Sequence, residues 1–113
     1  MTDKSKDFIA FVKLNGCPTF REIEDEFPDF FGGDCSFGMP EKNILYWVGL
    51  SETGGDSIEA AVRSKVVEMR PTHIMNYVAD GRILNLPLAK TLRVYKKPHW
   101  IPVAFYPAKG LVD

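Results

Sequence analysis

A chain of 113 residues with 45% apolar and 26% charged side chains can build one self-supporting globular domain, which excludes a disordered or fibrous polymer. No apolar run approaches the roughly 18 residues that span a bilayer, and the polar start Met1–Asp7 leads into no signal-peptide core, so a cytoplasmic protein without a membrane partner is expected. The formal net charge of −1 hides a split: residues 1–62 hold 5 basic and 12 acidic side chains, whereas residues 63–113 hold 9 basic and 3 acidic.

Phe8, Ile9, Phe11, Val12 and Leu14 share one broad face of a short helix that Asn15 and Gly16 should stop. Thr19, with Glu22 three residues on, makes a capping box, so a second helix is predicted to start there, bury Phe20, Ile23 and Phe27, and end at Pro28. Asp29–Lys42 mixes Gly32, Gly33, Gly38 and Pro40 with phenylalanines and is predicted to be a loop whose aromatic residues plug the core. Asn43–Leu50, apolar and rich in β-branched and aromatic residues, is predicted as a strand.

A third helix is predicted from the cap Asp56, with Glu59 three positions later, through the apolar stripe Ile58, Ala61, Val62, Val66 and Met69 to Arg70, where Pro71 ends it. Thr72–Val78 and Arg82–Leu86 flank Ala79, Asp80 and Gly81, and the Asp-Gly pair is a hairpin signal because glycine accepts positive φ. The proline-rich tail through Pro98, Pro102 and Pro107 is predicted to be extended along a sheet edge.

Two helices, a strand, a third helix and a hairpin resemble, over roughly Phe8–Leu86, the winged-helix arrangement, in which the hairpin is the wing. The expectation is therefore a single α+β, winged-helix-like domain over 1–113: three helices, a short strand, a C-terminal hairpin and an extended tail. Pro18–Ile23 (Pro-Thr-Phe-Arg-Glu-Ile) also resembles the opening of the second helix in bacterial winged-helix regulators. Leu86–Lys90 and Tyr95–Val103 resemble small uncharacterised proteins of bacterial phages and mobile islands, which implies a phage or prophage origin and no transferable activity.

The cations give the functional expectation. Between Gly81 and Val112 there is no carboxylate, while Arg82, Lys90, Arg93, Lys96, Lys97 and Lys109 are positive, so the stretch could attract an anion. On the predicted third helix Arg63 and Arg70 turn outward beside Ala60 and Ser64, a surface able to enter a major groove; Arg82 follows the wing turn; Lys96 and Lys97 stand beside Tyr95, His99 and Trp100. Double-stranded DNA is the expected partner, with Arg63, Arg70, Arg82, Lys96 and Lys97 as the binding residues. The alternative is a protein-interaction module, a homodimer or a complex with another protein, in which an acidic half meets a basic half. The acids Glu22, Glu24, Asp25 and Glu26 would repel phosphate from the second helix. Two histidines, His73 and His99, and two cysteines, Cys17 and Cys35, form no phosphate loop, serine elbow or metal-spaced set, so no catalytic residue, metal or cofactor is expected, and the cysteines are expected as free thiols.

Overall fold

The computed structural model describes residues 3–79 and 81–108. Helix α1 (Asp3–Asn15) follows the apolar spacing, with Phe8 and Val12 fully buried and Ile9 and Phe11 half-buried; Leu14 alone of that set faces solvent. Helix α2 (Phe20–Glu26) starts at the Thr19–Glu22 capping box, with both reciprocal hydrogen bonds present, and stops before Pro28. It buries Phe20 and Ile23.

Asp29–Lys42 is not the expected loop. After one 3-10 turn at Pro28–Phe30 the chain forms strand β1 (Phe31–Met39), antiparallel to the expected strand β2 (Ile44–Leu50). Its glycines are what that pairing requires: a Cβ on Gly33 would stand 2.5 Å from the Leu50 carbonyl oxygen, and one on Gly38 2.3 Å from that of Ile44. A residue that usually signals a loop is here used for close backbone approach. Of the phenylalanines in this stretch, Phe30 is buried and Phe31 and Phe37 are half-buried against the core.

Helix α3 (Glu52–Arg63) lies where a third helix was expected but earlier and shorter. Ser51 rather than Asp56 caps it, its hydroxyl oxygen accepting from Gly54 N at 3.0 Å. Lys65, at φ +66°, then turns the chain, and the β-branched pair Val66 and Val67 leads into strand β3 (Val67–Pro71) instead of extending the helix. Arg70 therefore stands on a strand.

The expected hairpin is also replaced. Met75–Ala79 is a short helix, α4, and Gly81, at φ +86°, is its C-terminal glycine: Arg82 N donates to Tyr77 O at 3.2 Å and Gly81 N to Val78 O at 3.0 Å. These two bonds make a Schellman cap, which needs the same positive φ as a hairpin turn, so the glycine alone did not distinguish the two. Asp80 lies outside the described residues, and among those described no wing hairpin forms.

The tail is extended as expected. Strand β4 (His99–Trp100) runs parallel to β2, completing a sheet of order β1-β2-β4; strand β5 (Val103–Pro107) pairs antiparallel with β3 in a separate two-stranded sheet, Val67 opposite Pro107 and Pro71 opposite Val103. The described residues thus form an α+β fold of four helices and two small sheets. Phe105 fastens α1 and α2 to the second sheet, its ring centroid 5.2 Å from Phe8 and 4.9 Å from Phe20, both edge-on. Trp47, Tyr77 and Trp100, all fully buried, do the same for α4 and the first sheet, with centroids 5.2 to 6.1 Å apart.

Candidate nucleic-acid interface

Of the five expected binding residues, three are engaged by carboxylates. Arg63 ends α3 with its guanidinium 3.2 Å from Glu59, one turn earlier, and Asp56 lies on the same face. Arg70 on β3 grips Glu68 on the same strand through two nitrogens and lies over the Tyr106 ring, 4.7 Å from its centroid. Arg82 donates to Glu24 of α2 at 2.6 Å and covers Trp47 at 5.3 Å. Glu24 is nearly buried, so this pair ties the chain after α4 to α2. The expected alignment of Arg63 with Arg70 on one helical face does not occur, because α3 ends at Arg63.

Lys96 and Lys97 differ. They are exposed on the segment between Leu88 and His99, which also carries exposed Lys90 and Arg93, and no described carboxylate pairs with any of the four. The segment has no regular structure, yet its backbone is fixed at many points. The Tyr95 hydroxyl accepts from the amides of Lys90 at 3.1 Å and Thr91 at 3.3 Å and donates to Thr91 O at 3.1 Å. Donation from the Thr91 amide lowers the pKa of this phenol below the usual tyrosine value, and Arg93 and the Lys90 amide add to that. The Arg93 guanidinium lies 4.9 Å from the Tyr95 centroid.

The other anchor is Asn43, which turns the chain into β2 at φ +55°, a conformation asparagine tolerates better than most residues. Its side-chain amide donates to Tyr95 O at 2.8 Å, and its own carbonyl accepts from His99 N at 2.8 Å. Next to it, Lys42 O accepts from Tyr95 N at 3.0 Å and Lys42 Nζ donates to Leu92 O at 3.3 Å. His99 stacks on Tyr95 with centroids 3.9 Å apart and donates from Nδ1 to Lys97 O at 2.7 Å. Trp100 is wholly buried and Tyr95 nearly so, so the aromatic rings expected as stacking partners for bases serve mainly to hold the loop. Sequence reasoning missed Asn43. Its signal was an asparagine directly before an apolar run, a residue type suited to positive φ.

The remaining candidates have structural partners or none that bear on chemistry. His73 Nδ1 accepts from Met75 N at 3.1 Å at the start of α4. Cys17 is a free exposed thiol and Cys35 a free half-buried one. Among the described residues no group of three or more His, Cys, Asp or Glu side chains is arranged to hold a metal ion, and no helix is long and apolar enough to cross a membrane.

In comparisons with known proteins, no family model, no curated protein and no solved structure matches this chain. What defines it is therefore its own geometry: an α+β domain that displays a carboxylate-free, backbone-pinned cationic loop.

Proposed function

We propose that the protein binds nucleic acid through the loop between Leu88 and His99, with Lys90, Arg93, Lys96 and Lys97 contacting phosphates. The observation that carries this reading is that four exposed cations share one ordered loop without a carboxylate partner among the described residues, whereas Arg63, Arg70 and Arg82 each have one. An ordered loop holds its charges without paying the full entropic cost of freezing a disordered tail on binding. The mode differs from that of a winged helix: α3 presents Asp56 and Glu59 beside Arg63, which makes it a poor reader of a major groove. Phosphate contacts position a protein without reading bases, so binding with weak sequence preference is the expected behaviour. The resemblance of the tail to phage and mobile-island proteins supports a bacterial cytoplasmic setting for such a binder.

Polarisation titrations of labelled duplex and single strands across a salt series test it. Binding should weaken steeply with salt, and Lys96→Ala or Lys97→Ala should each lower the salt slope by about one unit, while Arg63→Ala leaves it nearly unchanged. Absence of binding to every duplex and single strand at low salt refutes the proposal.

A second reading has its own support. Leu92 and Val94, 60% and 69% exposed, flank Arg93 in the same loop, and apolar tips between cations suit an acidic protein surface, including that of a second copy. Light scattering across ionic strength separates the two: a salt-insensitive monomer at all concentrations rejects electrostatic self-association.

A further inference from the structure

Where the two sheets meet, a cleft of about 590 Å³ opens to solvent. That volume falls in the range of small-molecule sites. Val67 and Met69 of β3 and Val103 of β5 give it an apolar wall, Tyr46 of β2 stands at another side, and Leu92 reaches it from the cationic loop. Two charged side chains line it, Lys65 and Glu68.

Those two are in different states. Glu68 is already held by two nitrogens of Arg70, so its charge is answered within the fold. Lys65 has no ion-pair partner among the described residues. Its backbone sits at φ +66°, where glycine or asparagine is favoured; Lys65 N donates to Val62 O at 3.1 Å, closing the end of α3. The only other described non-glycine residue at positive φ is Asn43, whose side chain has an evident use. A lysine kept in a conformation it disfavours, exposed to solvent beside an apolar cleft it lines and without a carboxylate partner among the described residues, is an outlier of the kind that accompanies function. The Tyr46 hydroxyl makes no hydrogen bond to a described residue, and burial, aided by Glu41, raises its pKa, so it stays a neutral donor.

We propose that this cleft binds a small amphiphile consisting of an apolar body and one anionic headgroup, of the carboxylic-acid class, with the Lys65 ammonium as counter-ion. The body lies against Val67, Met69 and Val103, and the headgroup meets the exposed Lys65 ammonium in place of water. A cationic amphiphile has no comparable seat, because Glu68 is committed to Arg70. The inference is separable from the nucleic-acid reading: Leu92 of the cationic loop lines the cleft, but none of Lys90, Arg93, Lys96 and Lys97 does.

The probe is anilinonaphthalene sulfonate, an aromatic body with one anionic group, titrated into the folded chain and competed with decanoate or decylammonium. Saturable one-site fluorescence that decanoate displaces and decylammonium does not is the expected result. Lys65→Gly suits the positive φ, so its melting temperature should be unchanged or higher while probe affinity falls about tenfold, the loss of one charge-assisted contact. Met69→Trp should fill the cleft and abolish binding with the far-UV spectrum retained. The proposal is overturned by absence of saturable binding to the wild type, by equal affinity in Lys65→Gly, or by equal competition from decylammonium. It is equally overturned if sedimentation shows a dimer that Met69→Trp dissociates, since a second copy would then occupy the cleft.

Discussion

Residues 3–71 and residues 72–108 are held together by different bonds. The first region satisfies most of its backbone within helices and the β1–β2 ladder, only β3 relying on β5 of the second, and its caps are local: Thr19 to Glu22, Ser51 to Gly54. The second contains one five-residue helix and two short strands, with neither helix nor strand between Gly81 and Pro98. Proline at 87, 98, 102 and 107 removes amide donors that a ladder would need. Side chains supplement the backbone bonds that remain, among them the β3–β5 ladder. The Tyr77 hydroxyl accepts from Phe20 N at 3.1 Å and donates to Val103 O at 2.6 Å, and Trp100 Nε1 donates to Tyr46 O at 3.1 Å. The contrast teaches that a proline-rich segment can be as fixed as a sheet when buried hydroxyls and indoles satisfy the backbone around it.

The comparison can be broken most severely at its seam. Trp100→Ala removes a fully buried indole between Trp47 and Tyr77 and leaves Tyr46 O without its donor, so urea unfolding should show a loss of about 4 kcal/mol. Tyr77→Phe keeps the ring and deletes only the hydroxyl. Two buried backbone groups lose a partner, and a loss of about 2 kcal/mol is expected; a change within measurement error would show that the ladders alone hold the second region.

Tyr95→Phe sharpens the contrast at smaller cost. It should lower stability by about 1 kcal/mol, while hydrogen exchange at the Lys90 and Thr91 amides, which lose their acceptor, speeds up far more than exchange in α1. The smallest effect belongs to the first region. Asp29, bonded by Lys4, has a pKa below its ordinary value of 3.8, so its charge stabilises the fold above that value and the contribution is lost as pH falls through the lower folded value. Both partners are exposed, so Asp29→Asn should only slightly flatten the acid limb of a stability-versus-pH curve.

What was legible in the sequence was local. The Thr19–Glu22 box was readable because its bonds close within four residues, α1 because its apolar spacing marks the face it buries, and β2 because an unbroken apolar run suits a strand flanked by β1 and β4. Three signals were ambiguous for a physical reason. Asp56 and Glu59 looked like a helix start, but Ser51 offers the earlier cap, and Gly54 is accepted inside the helix because a Cβ there would stand 2.0 Å from the Phe30 carbonyl oxygen. Val66 and Val67 fit either a helical stripe or a strand until β5, nearly forty residues away, supplies the pairing. Gly81 offers positive φ to a hairpin or a helix cap alike.

The cationic stretch was legible as charge, but not as a loop. Carboxylates distant in sequence decide which cations are answered: Glu24 meets Arg82 across 58 positions. No composition window contains that pairing.

Asn43 grips Tyr95 O with its side chain and His99 N with its carbonyl, so Lys96, Lys97 and Pro98 span two points on a single residue. Such a bight keeps its outline whatever side chains it displays. Mutational drift or a designer could exchange the two lysines for acids or aromatics and change what the surface displays, leaving the fold's foundations untouched.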